Sequence, residues 1–287
     1  MTSTGARVAA LSILAACASG QGGPAPGPAA PGVTGAAPAS RTRLAPQRGR
    51  FLTHQVVEIL NDFAGLPARQ VIGYRSWFVV TVHDSADVSG RLAATFVVDS
   101  LVADSGVLLP PTMNLASARG LTVTGWVAAS GELQDPVYSD SGAAQSLSLL
   151  LGWFRRFFPP LPPDGAQPGL EWSDTLTTTE PGGTATVTRA TRFTARAGAW
   201  EPRPEGPALR LDVEEVYQFT GAGDGGGQPL ELRGSGARAG VDYLGADGRY
   251  LGGTSRDSVS LTISLPQQGI TIPQRQLGTL SVQLLPR

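Results

Sequence analysis

A short segment near the C-terminus, in which polar and apolar residues strictly alternate, is the sequence feature that most constrains this fold. Between residues 258 and 265 four hydroxyl side chains alternate with four apolar ones: Ser258, Val259, Ser260, Leu261, Thr262, Ile263, Ser264 and Leu265. Successive side chains of a β-strand point to opposite faces, so the run predicts a strand with one dry and one wet face. Strands of this kind are typical of antiparallel sheets that bury one side.

Similar segments recur along most of the chain. The candidate strands are rich in β-branched and aromatic residues and are separated by turn residues: 71–83, 91–101, 121–128, 169–179, 184–197, 209–220, 230–244, 249–257, 258–265 and 279–285. Asp247-Gly248 is the strongest hairpin signal, because a tight two-residue turn needs positive φ angles. We therefore expect a mainly β fold, a curved antiparallel sheet or half-barrels, with one amphipathic helix packed on it.

The domain organisation leaves two alternatives open. The β-rich domain is expected to span 51–287, with possible halves 51–137 and 168–287. No fixed-period repeat decides between two half-barrels and one large sheet. Residues 53–63 fit a short helix or a leading strand.

The middle of the chain shows helical spacing instead. Residues 143–158 carry an apolar stripe formed by Leu147, Leu150, Leu151, Phe154 and Phe158. The run 159–163, Pro-Pro-Leu-Pro-Pro, must end such a helix because proline lacks the backbone donor. The pattern predicts one amphipathic helix that joins the two β-rich stretches.

Large aromatic residues are the candidate ligand-facing or core side chains. Trp153, Phe154 and Phe157 lie on the expected helix, and Trp172 opens the next expected strand. Such rings either complete the core or face an apolar ligand held against the dry side of the sheet. The sequence favours the core interpretation.

The N-terminus resembles that of bacterial lipoproteins. Arg7 precedes an apolar run that ends in Leu-Ala-Ala-Cys, and Cys17 is the only cysteine of the chain. The resemblance implies a signal peptide over 1–16, lipidation of Cys17 and a disordered tether over 17–50 that is rich in Ala, Pro and Gly. It also implies a cell-envelope location, at the outer membrane facing the periplasm or the surface. An ordinary cleaved signal with a chance cysteine is the alternative.

The later part of the chain is similar to a family of uncharacterised secreted bacterial β proteins. The similarity lies in Phe-Pro-Pro-Leu-Pro at 158–162, followed by Pro-Gly-Leu-Glu-Trp-Ser-Asp-Thr at 168–175. It covers about the last 140 residues and differs from the family pattern at Leu170. It implies an all-β envelope protein without an assigned activity.

Residues for catalysis, metal binding or nucleic-acid binding are sparse. Only His54 and His83 are histidines, too few for a usual zinc site, and we expect no metal or cofactor. The net charge is −1, with no basic stripe for nucleic acid. The leading expectation is a non-enzymatic envelope protein that holds an apolar ligand or serves as an interaction module. An envelope polymer hydrolase using His83 and Glu214 is the alternative.

Overall fold

The structure is a computed structural model that describes residues 41–62, 68–107, 114–147, 151–182, 185–224 and 227–286, without the side chains at 153 and 180–184. Cys17, the expected signal segment 1–16 and residues 17–40 of the expected tether lie outside the described residues.

Within those ranges, eleven strands form one antiparallel sheet. Their bounds are β1 Gln47–Asn61, β2 Arg69–Ala86, β3 Leu92–Ala103, β4 Thr122–Val127, β5 Leu133–Tyr138, β6 Glu171–Gly182, β7 Ala185–Arg203, β8 Gly206–Asp224, β9 Pro229–Gly245, β10 Tyr250–Leu265 and β11 Ile270–Leu284. The helical elements are α1 Ser141–Ser146 and the 3-10 helices Leu115–Ala118, Gly152–Arg156 and Pro266–Gln268. The fold is thus mainly β with very little helix, which confirms the expected fold class.

The strand order is β5-β4-β3-β2-β1-β11-β10-β9-β8-β7-β6. Two meanders meet where β1 pairs with β11, for example at Phe51 and Leu284. Both expected halves therefore belong to one sheet, which is not closed. Residues 139–170, named here the crossover segment, connect its two edge strands, β5 and β6. The short edge strand β5 contains Pro136, which cannot donate to a further strand.

Several strands differ from their expected bounds. Residues 53–63, for which a helix or a strand was open, contribute to β1 as far as Asn61. The segments 249–257 and 258–265 are one strand, β10. The first half of β10 shows no alternation of apolar and polar residues in the sequence. The reason is that Ser255 and Asp257 occupy buried positions that apolar residues usually fill.

The expected boundary of the tether at residue 50 is wrong. Thr42 exchanges two backbone hydrogen bonds of 2.8 Å with Ala166 of the crossover segment, and Ala45 donates one of 3.0 Å to Gly248. The first strand then begins at Gln47. Residues 41–50 belong to the folded part because their backbone groups find partners in distant parts of the chain.

The expected single helix over 143–158 is also corrected. Helix α1, which Asp140 caps by accepting a hydrogen bond from the Ala143 amide at 2.9 Å, ends at Ser146, and residues 152–156 form a 3-10 helix. Residues 148–150 lie outside the described residues. A 3-10 turn aligns residues three apart, so Phe154 and Phe157 both reach the same interior.

The inner face of the sheet, which the crossover segment covers, carries the main core. Rings from four strands and from the crossover segment pack together there: Phe51, Phe78, Phe96, Phe154, Phe157, Phe158 and Tyr250. Phe157 meets Phe51 edge-on at a centroid distance of 5.1 Å and Phe78 at 5.4 Å. Such edge-to-face contacts add to the free energy gained by burying the rings.

A second apolar cluster fills the inner face of the long strands β8 to β11, and two glycines make room for it. A Cβ atom at Gly234 would lie 2.3 Å from the ring of Phe219, and one at Gly236 would lie 2.4 Å from the ring of Tyr217. Both glycines pair directly across the strand with those aromatic residues. The missing side chains let the rings lie flat along the inner face.

Candidate functional site

The aromatic residues singled out from the sequence lie in the core wherever their side chains are described. Phe154 and Phe157 expose 1% and 3% of their surface. Trp172 is half-buried on β6 against Phe193, Ala195 and Val213. The side chain of Trp153 lies outside the described residues. Phe154 and Phe157 are fully used in packing against other rings, so they leave no space for a ligand between them.

Next to these rings lies a group of charged side chains in which a buried carboxylate meets partly buried guanidinium groups. Glu215 of β8 binds Arg156 of the crossover segment at 2.5 Å (Oε2 to Nη1) and Arg238 of β9 at 3.2 Å (Oε1 to Nη1). Arg189 of β7 approaches the same carboxylate at 3.8 Å. Arg156 also donates to Thr191 Oγ1 at 3.0 Å. We call Glu215 and its three arginines the arginine cluster.

Two tyrosine–aspartate pairs adjoin the arginine cluster. The Tyr250 hydroxyl donates to Asp242 at 2.8 Å, and the Tyr217 hydroxyl donates to Asp257 at 2.7 Å. The Arg189 guanidinium lies 3.4 Å from the centre of the Tyr217 ring, a cation–π contact. Buried polar groups of the inner face are thereby paired with one another.

Burial and charge shift the pKa values of this region in opposite directions. Burial alone would raise the pKa of Glu215, but the charges of Arg238, Arg156 and Arg189 outweigh it and lower that pKa. Burial raises the pKa of Asp242 to about 6, although Arg238 and the Tyr250 hydrogen bond oppose the shift. Burial also raises the pKa of Tyr250 well above its ordinary value.

The space beside the arginine cluster is too small for a substrate. The enclosed cavity between the crossover segment, Glu132 and the arginine cluster has a volume of about 20 Å³. That volume holds about one water molecule. The cluster therefore fastens the crossover segment to the sheet and offers no room for chemistry on a ligand.

The residues of the hydrolase alternative lie far apart. His83 is on β2 with its Nε2 atom 2.9 Å from Thr95 Oγ1, and Glu214 is exposed on β8. Four strands separate β2 from β8, a distance of roughly 24 Å along the sheet at the usual strand spacing. A glycosidase needs two carboxyl groups within about 10 Å. In the described part of the chain, no three His, Cys, Asp or Glu side chains are grouped to hold a metal ion.

An open cleft lies where β11 ends before β1 does. The pairing of β1 with β11 reaches Phe51 and Leu284, the Leu285 amide donates to the Arg50 carbonyl at 2.8 Å, and β1 continues back to Gln47. The space beside this overhang measures about 740 Å³. We call it the terminal cleft; it is lined by Gln47, Arg48, Gly49, Arg50, Val79, Pro204, Glu205, Arg249, Leu284, Leu285 and Pro286.

The terminal cleft combines apolar walls with three arginines, Arg48, Arg50 and Arg249, and one acidic residue, Glu205. Arg50 is paired with Asp99 at 2.8 Å and Arg249 with Asp247 at 2.5 Å. Arg48 is exposed and has no ion-pair partner among the described residues. The buried amide nitrogen of Gln47 likewise has no hydrogen-bond partner within the described ranges.

This arrangement suits a small amphiphilic anion. A volume of this size falls in the range of small-molecule sites, which are mostly apolar with a few polar groups that fix orientation. Leu284, Leu285 and Val79 offer apolar contacts, while Arg48 offers donors to an anionic head group.

Sequence reasoning missed both the terminal cleft and the arginine cluster. The cleft residues 47–50 were assigned to the tether, and residues 284–286, which line the cleft with them, lie more than 200 positions away. One sequence feature does point to the arginine cluster. Glu215 occupies a buried position of the alternating strand β8, between the buried residues Val213 and Tyr217. A charged residue at a strand position that apolar residues usually occupy predicts that side chains of opposite charge are buried beside it.

Comparisons with known proteins give no relative for this chain. It matches no family model and no curated protein sequence. Among solved structures it is similar to DynF from the dynemicin biosynthesis pathway of Micromonospora chersina, with 10% identity, a TM-score of 0.24, and coverage of 92% of this chain and 94% of that one. A mutant porin of Rh. blastica has 8% identity and a TM-score of 0.25 over 82% of this chain and all of the porin.

A third similar structure is OccK2 (OpdF) of Pseudomonas aeruginosa in complex with glucuronate, with 8% identity, a TM-score of 0.22, and coverage of 86% and 99%. Scores this low carry no argument about function. None of the helices in the described ranges has the length and apolar character needed to cross a membrane.

Proposed function

We propose that this protein is a lipid-anchored cell-envelope protein without enzymatic activity that holds an apolar ligand with an anionic head group in the terminal cleft. The observation that carries the proposal is the cleft itself, with apolar walls beside Arg48, for which the described part of the chain provides no ion-pair partner. The aromatic rings of the crossover segment are core residues, so the cleft takes their place as the site of the ligand.

The N-terminal pattern supports the anchor. The Leu-Ala-Ala-Cys run at 14–17 resembles the lipidation signal of bacterial lipoproteins, and the first strand begins at Gln47. Gln47 and Arg48 line the terminal cleft, so the cleft lies at the end of the fold to which the tether is joined. A ligand drawn from the membrane would enter at the tethered end.

Replacing Cys17 with serine tests the anchor. The wild-type chain, expressed in a bacterium that processes lipoproteins, should begin at a diacylglyceryl-modified Cys17 in an intact-mass measurement and sediment with membranes. Cys17→Ser should leave a folded protein in the soluble fraction, while Ser19→Ala should behave like the wild type. An unmodified thiol, or a Cys17→Ser protein that still sediments with membranes, would contradict lipid anchoring.

A fluorescent long-chain fatty acid and the matching fatty alcohol test the cleft. In the soluble Cys17→Ser background, Arg48→Gln should weaken binding of the acid by about fivefold, the value of one partly exposed ion pair, and leave the alcohol unchanged. Leu285→Asp should weaken binding of both probes because it places a charge in the apolar wall.

Arg119→Gln is the matched control for the charge, because Arg119 is exposed and lies away from the terminal cleft. Equal weakening by Arg119→Gln, or equal binding of acid and alcohol to the wild type, would argue against the role of Arg48. Retained binding by Leu285→Asp would move the ligand out of the terminal cleft.

A further inference from the structure

A second concave surface lies on the outer, solvent-facing side of the sheet, opposite the inner face that carries the core. Two adjoining depressions of about 690 and 550 Å³ share Gln218, Ser235 and Ser260 in their linings. We call the two together the outer groove. It crosses the second meander between β6 and β11, far from the crossover segment, and it is not part of the proposed ligand site.

Register pairing explains the floor of the outer groove. One cross-strand row runs Ala190, Gln218, Ser235, Ser260 and Arg275 from β7 to β11. Its central side chains are short, whereas longer side chains border them. Four inter-strand spacings make this row about 19 Å long, so the groove offers a shallow, extended track instead of a pocket for one small molecule.

Three arginines border the outer groove. Arg192, Arg233 and Arg275 are exposed and line it. None of them has an ion-pair partner in the part of the chain that the structure describes. Asp62 is the acidic side chain among the described lining residues, so three positive charges face one negative charge. This excess selects an anionic partner.

We infer that the outer groove binds an acidic polysaccharide, a chain of sugar rings bearing carboxylates. Guanidinium groups bind carboxylates in a two-pronged geometry, and the hydroxyl and amide groups of Ser235, Ser260 and Gln218 suit sugar hydroxyls. Val216, which is 58% exposed, lines the floor and offers an apolar contact for a ring face.

Other polymers fit the outer groove less well. Single-stranded nucleic acid is usually held on aromatic side chains, but Tyr217, which borders the groove, directs its hydroxyl to the buried Asp257 at 2.7 Å. A peptide strand adds to an exposed sheet edge, whereas the groove crosses paired strands in the middle of the sheet.

Affinity measurements with polygalacturonate on the full lipidated chain in detergent test the inference. Binding should weaken as sodium chloride rises, because exposed charges are screened. The triple variant Arg192→Gln, Arg233→Gln and Arg275→Gln should bind about tenfold more weakly. Ser235→Trp, which fills the groove without changing its charge, should weaken binding by a similar factor.

The control is the double variant Arg119→Gln and Arg196→Gln, which removes exposed positive charge outside the outer groove and should bind within about twofold of the wild type. Loss of binding in that control, or unchanged binding by Ser235→Trp, would overturn the assignment to the groove. No measurable binding of polygalacturonate, equal binding of neutral dextran, or tighter binding of a single-stranded DNA oligonucleotide or of polyglutamate would overturn the choice of partner.

Discussion

Replacing Glu215 with glutamine should strongly destabilise the fold. Glu215 is 7% exposed and is the acceptor that joins Arg156, Arg189 and Arg238. Glutamine keeps the shape of the side chain but removes its charge. Three guanidinium groups would then face one another without the carboxylate that offsets their repulsion.

The size of the effect follows from the cost of leaving a buried charge unpaired. Removing one partner of a buried ion pair costs about 3–5 kcal/mol of unfolding free energy. For a chain of this size, that corresponds to a decrease in melting temperature of roughly 10 °C. Because the arginines lower the pKa of Glu215, its contribution is present above its ordinary pKa of 4.5 and is lost as the pH falls through the lowered value.

Urea unfolding followed by circular dichroism at pH 7 and at low pH measures this loss. Glu214→Gln is the matched control, because Glu214 is the neighbouring residue on the exposed face of the same strand. Its substitution should change stability by about 0.5 kcal/mol or less. The reasoning is refuted if the two variants lose the same stability at pH 7, or if the loss for Glu215→Gln grows as the pH falls.

Three further substitutions test other parts of the fold. Asp242→Asn should remove a pH dependence: burial raises the pKa of Asp242 to about 6, so its stabilisation is present below its ordinary pKa of 3.8 and disappears as the pH rises through 6. The wild type should lose roughly 1–3 kcal/mol relative to this variant between pH 3.5 and pH 7 in urea titrations, and a constant difference would contradict the shift. Phe157→Ala should cost about 3–5 kcal/mol of unfolding free energy, because the ring fills the centre of the core; a loss below about 1 kcal/mol would mean that the crossover segment is not packed there. Gly234→Ala should cost about 1–3 kcal/mol in the same assay, since its Cβ would collide with the Phe219 ring, whereas Gly152→Ala meets no atom within 4 Å and is the control; equal effects would exclude the collision.

The crossover segment holds the two edges of the sheet together. Its aromatic rings enter the core from above the inner face, Arg156 binds Glu215 of β8, and the Leu161 amide donates to the Ala129 carbonyl at 2.7 Å. The chain then returns to the second meander, where the Gly169 amide donates to the Ala197 carbonyl at 2.8 Å.

The amino-acid sequence by itself determined that the fold is mainly β. Apolar and polar residues alternate in segments such as 258–265, and a β-strand is the regular structure that places such alternating residues on two separate faces. It also favoured the core interpretation for Phe154 and Phe157, which are buried in the structure. These signals are local, since each depends on residues within one strand or one turn.

The tertiary structure alone decided how the strands join and where the sites lie. The pairing of β1 with β11 connects residues more than 200 positions apart, and no local pattern encodes it. The terminal cleft exists because β11 ends before β1, and the outer groove exists because Ser235 and Ser260 of neighbouring strands fall into register between longer side chains. The alternation of apolar and polar residues determines which face of each strand is buried. The register between strands that are distant in sequence determines which side chains become neighbours, and therefore where a ligand can bind.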